Sequence, residues 1–84
     1  VDFNLAIWYL LNVNMRFTDH AKYRLFMERG ISVDLVKAVI LEPDSTVRIA
    51  DNGIKSLKRL EKGDLVVVYK KDKTAYVIIT AYFK

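Results

Sequence analysis

The chain has no cysteine, one proline, one histidine and three glycines in 84 residues, and each shortage closes a route. Without thiols there is no disulfide framework, no thiolate nucleophile and no cysteine zinc site, which fits a reducing compartment and a cytoplasmic location. A lone histidine with no carboxylate cluster beside it argues against a transition-metal centre, and no other cofactor is asked for. Scarce glycine and proline exclude a low-complexity chain. A membrane span is missing too. Leu5 to Leu11 is uninterrupted and apolar, yet far short of the ~20 residues that cross a bilayer. No basic segment precedes it and no small-residue cleavage site follows, so it does not read as a signal peptide.

What remains is a globular composition, 52% hydrophobic with few breakers. The length allows one small domain, which buries only about 60–65% of its unfolded surface and is expected to be modestly stable. Fourteen basic against ten acidic residues give a net charge of +4, which favours a polyanionic partner. Residues 1–14 read as an apolar extension and residues 15–84 as the domain, because Met15 opens a segment that looks like a natural start. Phe3, Ile7, Trp8 and Leu11 would be an aggregation hazard if exposed. The extension is therefore expected to pack on the domain as an extra element or to make a homodimer contact, unless it is a non-native addition.

The punctuation from Thr18 onward is clear. Thr18 or Asp19 supplies a side-chain cap for a first helix, and Gly30 a left-handed stop, with Arg29 at the negative end of the helix dipole. Ser32 then caps a second helix whose Val33, Val36, Val39 and Ile40 recur at helical spacing. Glu42-Pro43-Asp44 ends it, since the residue before proline is pushed out of the helical region. After Pro43 the period changes to two. Thr46 to Asp51 alternates with Val47 and Ile49 inward, Asn52-Gly53 signals a type I′ hairpin, and Ile54 to Glu61 is the return strand. Lys62-Gly63-Asp64 turns the chain into the apolar run Leu65 to Lys70, and Lys71-Asp72-Lys73 into a last strand, Ala75 to Phe83.

The fold class expected is α+β, two N-terminal helices packed on a four-stranded antiparallel sheet. A short first strand at Asn14 to Phe17 is a further option. In the last strand, strict alternation puts Val77, Ile79, Ala81 and Phe83 toward the helices and Tyr76, Ile78, Thr80 and Tyr82 on the other face.

Three blocks then carry a family resemblance: His20-Ala21-Lys22-Tyr23-Arg24, Glu28-Arg29-Gly30-Ile31-Ser32 and Glu42-Pro43-Asp44. Together with the strand pair Leu65 to Tyr69 and Val77 to Tyr82, they resemble a widespread prokaryotic family of small domains of unknown function, marked by a His-Ala-x-x-Arg helix. The likeness runs from Phe17 to about Tyr82. That family is grouped with RelE-type toxins in the barnase–EndoU–colicin–RelE-like ribonuclease fold, which implies a RelE-like scaffold. The chain departs from the pattern at one place, the interval from Arg24 to Arg29, which is one residue longer.

The resemblance implies a small RNA-acting domain, a metal-independent ribonuclease or toxin-type mRNA interferase, with RNA as substrate and an antitoxin-like protein as partner. The alternative is a non-catalytic RNA-binding or protein-interaction module on the same fold. Cleavage would need an acid and a base around the 2′-oxygen and the leaving oxygen, and cations on the phosphorane. The candidate catalytic residues are His20, Arg24, Thr80 and Tyr82. Imidazole suits either proton role, Arg24 lies one turn along the same helix face, and the last strand offers hydroxyls. Arg48, Lys55, Lys58 and Arg59 on the hairpin are the candidate nucleic-acid contacts. Each has a plainer reading. His20 could hydrogen-bond backbone, Arg24 could pair with Glu28, and the hairpin cations could simply guard a sheet edge. Lys70, Lys71 and Lys73 read as charges that keep a turn solvated.

Overall fold

A computed structural model describes residues 14–73 and 75–84 of the chain. The proposed extension therefore lies outside the described residues except for Asn14, and so do the packing and dimer roles expected of it. The elements are β1 (Asn14–Phe17), α1 (Asp19–Lys22) continuing as a π-helical stretch (Tyr23–Glu28), α2 (Val33–Leu41), β2 (Ser45–Ile49), β3 (Gly53–Leu60), β4 (Gly63–Asp72) and β5 (Ala75–Phe83).

The class is α+β, but the expected four-stranded antiparallel sheet with two N-terminal helices is wrong. The sheet has five strands in the order β1-β5-β4-β3-β2 and is mixed. β1 precedes the helices and pairs parallel with β5, Asn14 beside Ala75 and Phe17 beside Ile78. Every other pair is antiparallel. A parallel partner leaves no hairpin signal, because its connection is the whole intervening domain rather than a tight turn.

Capping follows the side-chain chemistry. Thr18 Oγ1 accepts from the Ala21 amide at 3.0 Å, and Ser32 Oγ accepts from the Leu35 amide at 3.2 Å. Gly30 sits at φ 62°, the left-handed conformation that a helix stop requires. Between these points the helix widens. The Arg29 amide donates to the Arg24 carbonyl and the Ile31 amide to the Leu25 carbonyl, at 3.0 and 2.8 Å. A π turn absorbs one residue more than an α turn.

The β2–β3 turn lies one residue earlier than Asn52-Gly53 suggests. Asp51 and Asn52 hold the two positive φ values, both 61°, and the Gly53 amide donates to the Ala50 carbonyl at 3.2 Å. Aspartate and asparagine tolerate this region better than most residues. Gly53 is needed for another reason: a Cβ there would lie 2.7 Å from Ile49 Cγ1.

The core fills the space between the helices and one face of the sheet. Ala21, Leu25, Ile31, Val36, Val39 and Ile40 pack from the helical layer on Leu65, Val67, Tyr69, Ile78 and Ala81. Strict alternation along β5 fails. Val68 pairs with Thr80 and Tyr69 with Ile78, so Ile79 is an extra, bulged residue. Ile78 is therefore fully buried in the core with Tyr76 packed against it, the reverse of the expected facing. Beyond the bulge, Ala81 faces the helices as expected, while Thr80 and Tyr82 pair with Val68 and Val66 on the opposite face. Val47 and Ile49 are exposed rather than inward, since the register puts Thr46 and Arg48 on the helix side of edge strand β2.

If the π turn is a local insertion, deleting exposed Met27 restores α-helical phase and leaves the core register intact. The variant should fold with a melting temperature within about 4–8 °C of the parent, the shift that ~1 kcal/mol produces in a domain of this size. Deleting Ala38 from the regular α2 helix should instead abolish cooperative thermal unfolding, because Val39 and Ile40 would rotate out of the core.

Candidate functional site

The candidate site lies where the first helix meets the last strand. β1 leaves the sheet after Phe17, and the Thr18 amide still reaches the Ile78 carbonyl at 3.4 Å. From there, among the described residues, no strand pairs with β5 along that edge. Buried Ala21 and Leu25 seat the helix on the core, with Phe26 against Phe17 at 5.3 Å between ring centroids.

His20 is exposed in the first helical turn, and its imidazole has no hydrogen-bond or ion-pair partner among the described residues. Arg24, one turn on, donates to Glu28 Oε2 at 3.0 Å across an exposed i,i+4 pair. Thr80 and Tyr82 are half-buried on the face away from the helices. The four candidate catalytic residues thus divide between two sides of one strand edge.

The residue that spans this edge was assigned no site role on sequence grounds. Arg29, held at the end of the π turn, donates through Nη1 to the Ala81 carbonyl at 2.8 Å and to Thr80 Oγ1 at 3.4 Å. It covers the stretch of β5 that β1 does not pair, where exposed strand backbone would otherwise invite another chain. Its remaining guanidinium N–H groups are available to an oxyanion. In the sequence it reads only as a basic residue before the Gly30 helix stop.

The hairpin cations do not form one surface. The register places Arg48 and Lys58 on the helix side of the sheet, and Lys55 and Arg59 on the other. Lys58 is already used: Nζ donates to the Glu42 carbonyl at 2.8 Å, satisfying an orphan carbonyl at the end of α2. The Arg59 amide is tied to Asp44 Oδ2 at 2.7 Å, with the guanidinium left outward. Arg48 and Lys55 have no acidic partner among the described residues.

A polar seam runs through the sheet on the helix side. Thr46 Oγ1 and Ser56 Oγ lie 3.1 Å apart, and Ser56 Oγ and the Tyr69 hydroxyl 3.4 Å apart. Ser56 is fully buried, so its hydroxyl is held by these neighbours rather than by water. Tyr69 stacks edge-on against Tyr76 at 5.6 Å. Among the described residues no three histidine or acidic side chains group as metal ligands, and no helix is long and apolar enough to cross a membrane.

Fold and site together define a small α+β domain with a cationic bridge over the open edge of its last strand. The chain belongs to the family described as a domain of unknown function, DUF4258, whose model matches residues 17–83. That match covers every described element except most of β1. No curated protein and no solved structure matches the chain.

The two arginines should differ in stability measurements. Arg29→Ala removes a charge-assisted bond to backbone and should cost about 1.5 kcal/mol, the lower end for hydrogen bonds to charged groups because the site is exposed. Arg24→Ala removes only an exposed helix pair and should cost about 0.5 kcal/mol or less. Urea unfolding of both variants checks the order. Ser56→Ala leaves the Tyr69 hydroxyl without its partner and should cost about 1–3 kcal/mol in the same assay.

Proposed function

We propose that this domain acts on RNA as a small RelE-like, metal-independent ribonuclease, with the site on the open edge of β5. The observation that carries the reading is Arg29. It is a guanidinium fixed against Thr80 and Ala81, at the end of the helical segment whose first turn carries the exposed His20. A phosphodiester laid along this edge would meet a positioned cation and a strand hydroxyl, with the His20 imidazole on the same helical segment. The resemblance to RelE-type toxins supports the same substrate class, and a cytoplasmic location and an antitoxin-like partner belong to the same proposal.

In the reaction, the 2′-hydroxyl attacks the adjacent phosphorus and loses its proton to a base. The 5′-oxygen leaves and takes up a proton, giving a 2′,3′-cyclic phosphate and a 5′-hydroxyl. His20 is the group suited to either transfer, and Arg29 the group suited to the phosphorane oxygens. Arg24 joins only by exchanging Glu28. An exposed pair of this type holds about 0.3–0.5 kcal/mol, so a phosphate displaces it easily.

A second reading is a module that binds RNA without cutting it. It is favoured by Thr80 and Tyr82 facing away from the helical layer that carries His20. One experiment separates the two. A fluorescent single-stranded RNA incubated with the folded protein in EDTA should yield cyclic-phosphate ends. His20→Ala should slow this by about 10²–10⁴-fold, the usual contribution of a general acid or base. RNA that stays intact while its fluorescence anisotropy reports binding would sink the enzyme and leave the binding module. Absence of both cleavage and binding would remove RNA altogether.

A further inference from the structure

A second feature lies at the opposite end of the sheet from the β3–β4 turn. A pocket of about 300 Å³ opens beside the β2–β3 turn, lined by Arg48, Ile49, Asn52, Gly53, Ile54 and Lys71. Arg48 pairs in register with Ile54, which packs against the core, and Lys71 pairs with Tyr76, which does the same. Both cations therefore stand on the helix side of the sheet and enter the pocket from strands β2 and β4. Neither has an acidic partner among the described residues. Lys71 is steadied instead by the face of Tyr76, its Nζ 5.9 Å from the ring centroid.

The nearby acids are committed or turned outward. Asp72 pairs with Arg16 at 2.8 Å, and Asp51 is exposed in the turn itself. Asn52 and Gly53 line the pocket at the turn. It thus combines a planar fork donor, a point-charge ammonium and an amide, with Ile54 as an apolar wall and more space than a bare phosphate fills.

We propose that this pocket binds a phosphate monoester carried on a nucleotide, either a free mononucleotide or the terminal phosphate of an RNA strand. Two uncompensated cations converging on one pocket favour the dianionic monoester over the singly charged phosphodiester of a chain interior. The Ile54 side of the pocket takes the sugar or base edge. The site stands apart from the β5 edge and does not require that edge to be catalytic.

The test compares binding of a 5′-phosphorylated RNA hexamer and its 5′-hydroxyl twin to the full chain, with adenosine monophosphate and adenosine as the small-molecule pair. The phosphorylated member of at least one pair should bind more tightly by about tenfold or more, the loss expected for one charge-assisted hydrogen bond. Arg48→Gln and Lys71→Gln should each abolish that preference, with folding followed by circular dichroism. Lys62→Gln, in the distant β3–β4 turn, should preserve it. Amide resonances of Asn52 and Gly53 should move on titration. A preference for adenosine monophosphate identifies a mononucleotide site, and one confined to the RNA pair identifies a strand end. Equal binding of both members of both pairs would overturn the proposal. So would a loss of preference in Lys62→Gln as large as in Arg48→Gln. RNA cleavage, present or absent, does not bear on it.

Discussion

The parallel pairing of β1 with β5 is the constraint on which the rest of the structure depends. It ties the start of the domain to its last strand, Phe17 beside Ile78, and so fixes where the chain rises into α1. Ala21 and Leu25 are thereby aimed into the core above β5. Because β1 is short, the far part of β5 has no strand partner on that side among the described residues, and the helix delivers Arg29 there. Cap, π turn and arginine bridge all follow from the place where β1 lets go.

Two cationic features result, and they are physically separate. Arg29 covers a strand edge, donating to the Ala81 carbonyl and to Thr80. Arg48 and Lys71 converge on a pocket at the β2–β3 turn. A net charge of +4 favours a polyanionic partner, yet the register distributes the hairpin cations over both faces and spends Lys58 on the end of α2. Position relative to the sheet, more than total charge, decides which cations can meet an anion.

Local chemistry was legible in the sequence because its causes are local. Thr18, Gly30, Ser32 and the proline after Glu42 each act within a turn or two, and the antiparallel strands announced themselves by period and turn residues. Three features were hidden because they depend on distant partners. The bulge at Ile79 inverts the facing of Tyr76 and Ile78, and nothing in an alternating run of good strand formers reveals it. A first strand at Asn14 to Phe17 was an option in the sequence, but its parallel pairing with β5 has no turn to betray it, and leaving it out made the sheet four-stranded. The exposure of Val47 and Ile49 reflects the register of edge strand β2, which turns Thr46 and Arg48 to the helix side and which period alone cannot give. At the site, His20 and the last strand could be proposed from sequence, but the residue linking them could not. Arg29 reads as a helix-end charge until the π turn and the open edge are seen together. Lys71 likewise reads as a turn lysine until Arg48 is found across from it.

The central claim is that RNA lies along the uncovered part of β5, guided by Arg29. Its most direct test is a titration of the isotopically labelled protein with a short single-stranded RNA, followed residue by residue through amide and arginine side-chain resonances. The account predicts the largest shifts at His20, Arg29, Thr80 and Tyr82, with the Arg29 side-chain signal among them. Saturable RNA binding that leaves those four unmoved while other surfaces shift would contradict it.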